Sequence, residues 1–139
     1  GPTEDLITSG ELLSYMIQGS GSFTVDYLNS VLEVRDYNGI NDPHIQRLLN
    51  AVKRFNDEER ILLLKFITTF TRIPSSVVNS SFHIQVDKLP VPYGQSPDDM
   101  LPTASTCFYR LHWPPYTNDA AAYRQLHTAI VFCQTMEIS

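Results

Sequence analysis

The sequence predicts an α+β domain in which helices pack on a small β-sheet, and three observations carry that prediction. Ile45, Leu48, Leu49, Val52 and Phe55 recur at the i, i+3, i+4, i+7 spacing that lines one face of a helix. Phe82-His83-Ile84-Gln85-Val86-Asp87 alternates with a period of two, the pattern of a half-buried strand. Ala122, Leu126, Ala129, Ile130 and Cys133 return to helical spacing near the end of the chain.

Gly1-Pro2 is similar to the remnant of a cleaved tag and is set aside from the fold. Glu11 to Gln18 is a short helical candidate, stopped by Gly19-Ser20-Gly21-Ser22. Phe23 to Val34 carries Val25, Leu28, Val31 and Leu32 at helix-like spacing, although its β-branched content works against a helix. Asn38-Gly39 marks a turn, and Asp42-Pro43 supplies an N-cap followed by proline at the first helical position. A helix is therefore expected from about Pro43 to Phe55. Asn56 caps the next one, with Glu59 placed to bond back to the cap amide. Its body, Ile61 to Phe70, is apolar almost all round and so should be buried on more than one face, with Arg72-Ile73-Pro74 as the stop. Pro90 to Met100 reads as a surface loop, Phe108 to Trp113 as a strand halted by Pro114-Pro115, and Asn118 to Gln134 as the last helix.

The 139 residues suffice for one modest domain of roughly 100–150 residues. A net charge of −5, with ten Lys plus Arg, gives no basic stripe to neutralise phosphates, so neither nucleic acid nor an acidic membrane surface is an expected partner. No apolar run approaches the roughly 20 residues needed to span a bilayer. Two cysteines, with neither a signal peptide nor a dense cysteine framework, lead us to expect a reducing compartment, the cytoplasm or nucleus.

Those two cysteines differ. Cys133 belongs to an apolar helical stripe, where a thiol behaves as a small hydrophobe. Cys107 lies in Leu101-Pro102-Thr103-Ala104-Ser105-Thr106-Cys107-Phe108, among hydroxyl-bearing residues that favour an ordered turn, and reads as an exposed thiol at a loop-to-strand junction. His112, five residues on, would lie roughly 16 Å away along a continuous strand at about 3.3 Å per residue, on the opposite face. It is thus not expected to serve Cys107 as a base. His44, His83 and His127 could approach only through the fold, and none has zinc-ligand spacing with either cysteine, so no metal or other cofactor is expected. Asp87, Asp98 and Asp99 are the nearby acids, but each reads first as an ordinary surface carboxylate, and no base is assigned. Thioester exchange needs no strong base, because incoming and leaving thiols have similar pKa values.

The Leu101–Phe108 run, continued by Leu111, Pro114 and Tyr116, resembles the active-site segment L-P-x-[AS]-x-T-C-F-x-x-L-x-L-P-x-Y of the C-terminal lobe of HECT-type ubiquitin ligases. The likeness extends to Asp42-Pro43 through Phe55, to Asn56-Asp57-Glu58-Glu59-Arg60 through Phe66, and to Thr68 through Pro74. Glu11 to Tyr27 is similar to the end of the family's N-terminal lobe, and Ala129 to Cys133 resembles the HERC branch. The resemblance implies an N-lobe remnant over residues 3–28, an interlobe hinge over 29–36 and a C-lobe over 37–139. It implies that Cys107 accepts ubiquitin as a thioester, from a conjugating enzyme docked on the N-lobe, and passes it to a lysine of a substrate protein. Pro102, Thr103, Ser105, Thr106, Phe108 and Leu111 would then support the active loop and strand. Met136 falls where many members carry a phenylalanine four residues from the end, which implies a catalytic role for the tail. Leu48-Leu49 stands where the family usually has an aromatic pair and Thr69 replaces a glycine, but two departures matter more: Ser105 replaces a frequent histidine, leaving no imidazole expected beside the thiol, and His112, followed by Trp113, replaces a frequent aspartate. The residues themselves leave open a non-catalytic ubiquitin-binding or interaction module, and a cysteine hydrolase.

Overall fold

The computed structural model of the chain describes residues 23–71 and 82–138, with the side chains of the last helix described as far as Phe132. The expected helix at Glu11–Gln18 and the stop at Arg72-Ile73-Pro74 lie outside these residues. Helix α1, Val25–Val31, is capped by Thr24, whose hydroxyl accepts from the Tyr27 amide at 3.0 Å, and it buries Leu28 and Val31. The chain then turns directly into strand β1, Leu32–Val34. The helix-like spacing over Phe23–Val34 therefore holds only to Val31. Beyond it the backbone extends to pair with β2, and tertiary pairing outweighs the local pattern. Residues 29–36, read as the hinge, comprise the end of α1, β1 and the start of the following turn.

Helix α2, Pro43–Arg54, begins at Asp42, whose carboxylate accepts from the amides of His44 at 2.8 Å and Asn38 at 3.1 Å. Burial alone would raise the Asp42 pKa, but these two amides and the His44 ring hold it below the ordinary value. Helix α3, Asp57–Thr68, carries the expected reciprocal cap: Asn56 accepts from the Glu59 amide and Glu59 accepts from the Asn56 amide, both at 2.8 Å. It ends earlier than the sequence suggests. Thr68 donates its hydroxyl to the Leu64 carbonyl and accepts from the Phe70 amide, and Thr69 takes the left-handed conformation at φ 71°. Leu63, Leu64 and Ile67 are fully buried, as expected of the central helix.

Strand β2, Ile84–Lys88, runs parallel to β1 and to β4, Arg110–Trp113, while β3, Thr103–Ser105, runs antiparallel to β4. The sheet order is β1-β2-β4-β3. Ile84, Val86, Leu111 and Trp113 face the core, and Gln85, Asp87, Arg110 and His112 occupy the alternate, half-buried positions. The Pro90–Met100 loop contains a 3₁₀ turn at Pro97–Asp99. Helix α4, Asp119–Ile138, starts with Asn118 accepting from the Ala121 amide and buries Ala122, Leu126, Ala129 and Ile130. Among the described residues no helix is long and apolar enough to cross a membrane.

Trp113 joins these layers. Fully buried, it donates its indole N–H to the His44 carbonyl at 2.9 Å, its own carbonyl accepts from the Tyr37 hydroxyl at 2.6 Å, and its ring meets Tyr116 edge-on at 4.9 Å. Trp113→Ala should lower the unfolding free energy by about 3–5 kcal/mol. Trp113→Phe should cost less but more than ~1 kcal/mol, because the His44 carbonyl loses its donor. Urea unfolding measures both, and a near-neutral Trp113→Ala would show that this strand end does not anchor the fold.

Candidate active site

Four residues separate the paired ends of β3 and β4, and they carry the thiol. Pro102 is buried at the entry to β3, Thr103 opens that strand, and Ser105 closes the hairpin opposite Arg110. Thr106, Cys107 and Phe108 form a single 3₁₀ turn, followed by Tyr109 in the left-handed region at φ 52°. Such a conformation costs a non-glycine residue about 1–2 kcal/mol. The surroundings hold it in place: the Tyr109 ring packs on Phe82 at 5.3 Å and Phe70 at 5.7 Å, and its carbonyl accepts from the Gln85 amide at 2.9 Å. Cys107 is thereby presented at the tip of the hairpin with its side chain exposed and unbridged.

This geometry corrects the expectation that the strand begins at Phe108. β4 starts at Arg110, because the reversal at Tyr109 interrupts extended backbone. Phe108 lies in the turn, 68% exposed, beneath the Arg110 guanidinium at 5.4 Å, while Leu111 is buried in the core. The hairpin also gives His112 partners that a continuous strand would not. With the chain folded back as a hairpin, His112 Nε2 lies 3.0 Å from Ser105 Oγ, and His112 Nδ1 lies 3.8 Å from Asp87 Oδ2. An imidazole does stand beside the residue two before the cysteine, delivered across the hairpin rather than along the strand. His44 and His127 lie elsewhere, against Asp42 at 3.0 Å and Glu59 at 2.8 Å.

Of the three nearby acids, Asp98 is structural. Its carboxylate accepts from both the hydroxyl and the amide of Thr117, which hold its pKa below the ordinary value, and its carbonyl accepts from Gln125 at 2.7 Å. It ties the loop before the site to the start of α4. Asp99 is exposed, and Asp87 is the acid beside His112. A groove of about 420 Å³ runs beside β3, lined mainly by Phe66, Leu101, Pro102, Ala104, Ala129 and Phe132. Among the described residues no group of His, Cys, Asp and Glu is placed to hold a metal ion. Cys133 and Met136 both lie within α4, and their side chains are outside the described set.

A family model described as HECT-domain (ubiquitin-transferase) matches residues 5–139, nearly the whole chain. The chain belongs to the HECT-domain family. Among its relatives, the E3 ubiquitin-protein ligase HERC2 of Homo sapiens is 32% identical over 142 residues, covering 98% of this chain and 3% of that protein. The E3 ubiquitin-protein ligase HECW2 of Mus musculus is 32% identical over 126 residues, covering 85% of this chain and 8% of that protein. The E3 ubiquitin-protein ligase TOM1-like of Neurospora crassa is 31% identical over 126 residues, covering 85% of this chain and 3% of that protein. The chain thus spans only a small part of the length of the relatives it matches. The family is one of ubiquitin ligases, and the α+β architecture fits a HECT C-lobe-like domain.

Sequence reasoning did not single out Tyr109 or Arg110 beside this candidate site, and it weighed His112 only to set it aside. The signal for Tyr109 was absent, since tyrosine has no preference for positive φ. The signal for His112 was present but needed the hairpin. Thr103-Ala104-Ser105 alternates like a strand, yet three residues are too few to stand out from a loop.

The Asp98 clamp gives a pH-dependent expectation. A carboxylate whose folded pKa is lowered contributes stability fully present above its unfolded value of ~4 and lost as pH falls through the folded value. Asp98→Asn should destabilise by about 1 kcal/mol at neutral pH. In thermal melts the gap between variant and wild type should close below about pH 4. A gap that stays constant with pH would show that the Thr117 bonds do not depend on the carboxylate charge.

Proposed function

We propose that this chain is the thioester-forming C-lobe of a HECT ubiquitin ligase, with Cys107 as the residue that carries ubiquitin. The observation that supports this most directly is the exposed Cys107 at the tip of the β3–β4 hairpin in a chain of this family. A thiol there can be reached by two large partners in turn, first a loaded conjugating enzyme and then a substrate protein. In the first step the thiolate attacks the incoming thioester, and in the second a lysine amine of the substrate attacks the Cys107 thioester. In this reading Pro102 and Leu111 brace the hairpin from the core side, Thr103, Ser105 and Thr106 shape the approach, and exposed Phe108 offers an apolar contact beside the thiol. Residues 37–139 form the lobe, 29–36 connect it, and 3–28 continue an N-lobe that recruits the conjugating enzyme. A free thiol as catalyst fits the reducing cytoplasm or nucleus.

In the complete catalytic domain, supplied with activating enzyme, conjugating enzyme and ubiquitin, a reductant-sensitive ubiquitin adduct should form. Cys107→Ala should abolish it and Cys133→Ala should leave it largely intact, as read on non-reducing gels. Equal loss in both variants, with Cys133→Ala still folded, removes Cys107 from its assigned role. A wild-type domain that binds ubiquitin without an adduct favours a non-catalytic module, and cleavage of ubiquitin esters favours a hydrolase.

The end of α4 enters the same proposal. A methionine can fill an irregular apolar pocket much as an aromatic ring does. Deleting Met136 to Ser139 from the complete domain should slow lysine modification several-fold while sparing the Cys107 thioester, and Met136→Phe should be tolerated. Unchanged ligation after the deletion assigns those residues no catalytic part.

A further inference from the structure

The polar face of the sheet holds an arrangement that loading of Cys107 does not require. His112 stands on β4 with Asp87 as its partner on β2 and Thr103 as its partner on β3. Its Nε2 is 3.0 Å from Ser105 Oγ and its Nδ1 is 3.8 Å from Asp87 Oδ2. A tautomer with the proton on Nδ1, toward Asp87, leaves Nε2 free to accept from the serine hydroxyl. Ser105 is the residue preceding the 3₁₀ turn, a position where serine ordinarily bonds to the turn's own amides, yet it makes no such cap bond. Its Cα lies within about 7 Å of that of Cys107, the reach of two residues of chain.

We propose that Asp87, His112 and Ser105 form a proton relay for the lysine that attacks the Cys107 thioester. The proposal rests on the reading of Cys107 as ubiquitin carrier. Of the three, Ser105 is nearest to Cys107 along the chain, His112 is the proton acceptor acting through its hydroxyl, and Asp87 positions the imidazole. The lysine arrives as an ammonium ion. One proton passes through the Ser105 hydroxyl to His112 Nε2, which frees the nitrogen lone pair. That lone pair attacks the thioester carbonyl, the C–N bond forms, the C–S bond breaks with its electron pair going to Cys107 Sγ, and a second N–H proton goes to the departing thiolate. The product is an amide, a thiol and an imidazolium that returns its proton to water. Loading needs none of this, because a thiol replaces a thiol of similar acidity.

The groups that face His112 are Asp87 and Gln85 from β2, Thr103 and Ser105 from β3, and Arg110 on its own strand. Asp87 and Arg110 are the charged members of that set. Arg110 donates to Gln85 Oε1 at 2.9 Å and lies over Phe108, so Asp87 is the charge within ion-pair distance of the imidazole.

The test uses the complete catalytic domain with ubiquitin already loaded, and rates are measured on the loaded population. Discharge to free lysine is compared with discharge to hydroxylamine, an amine that is already neutral at pH 7. The relay predicts that the lysine-to-hydroxylamine rate ratio falls about tenfold or more in His112→Ala and His112→Gln. Gln keeps a hydrogen-bond partner for Ser105 but cannot take up a proton. Ser105→Ala should lower the ratio, Ser105→Thr should restore it, and Asp87→Asn should lower it less. The wild-type lysine rate should also show a pH-dependent limb that His112→Gln lacks. A merely structural contact would slow both nucleophiles together and leave the ratio unchanged, and that result overturns the relay while leaving Cys107 as the carrier. A wild-type domain that never loads removes the carrier and the relay together.

Discussion

The need to satisfy one buried indole N–H organises this domain. Trp113 ends β4 with no exposure to solvent, and an unpaired N–H there would cost about 1–3 kcal/mol. Its partner is the carbonyl of His44, in the first turn of α2, so the strand end and the helix start are placed relative to each other. Asp42 in turn caps that helix, and Tyr37 closes the turn before it by donating to the Trp113 carbonyl. Burial raises the Tyr37 pKa well above its ordinary value, so the hydroxyl stays a donor across the physiological range. Tyr116 acts likewise on the other side, donating to the Met100 carbonyl just before β3.

With the far end of β4 held this way, its near end can tolerate strain. Tyr109 keeps its unfavourable conformation because two aromatic rings and a bond to β2 hold it there. The thiol-bearing turn therefore hangs between a reversal that packing enforces and a strand anchored by Trp113. Register matters for the same reason. A slip of one residue along β4 would exchange Leu111 for His112, placing an imidazole in the core and a leucine beside Ser105.

What was readable from the amino acids follows physical lines. The starts of α2 and α3 were legible because their caps are local: Asp42-Pro43 and Asn56 with Glu59 fall within one turn of what they cap. The strand expected at Phe82–Asp87 and found at Ile84–Lys88 was legible because one of its faces is buried, and Cys107 stood out because no apolar stripe absorbed it. β1 was hidden by a helix pattern that runs on past Val31, and its strand state comes from pairing with residues about fifty positions away. The polar line of the site was hidden likewise. Ser105, His112 and Asp87 are ordinary residues in sequence, and only a reversal at a tyrosine brings the first two together.

The strand order has a consequence for how the chain is made. β4 lies between β2 and β3, yet it is synthesised after both, and β1 must also wait for β2. Until residue 113 has emerged from the ribosome, β2 offers an open edge with Ile84 and Val86 bare on one face, the state in which strands recruit foreign partners. A nascent chain stopped before β4 would thus have an adhesive sheet and no centre, and its cysteine turn would have no strand to return on. The Cys107 turn can be ordered only once β4 exists to hold it, so synthesis itself delays the presentation of that thiol until most of the fold is in place.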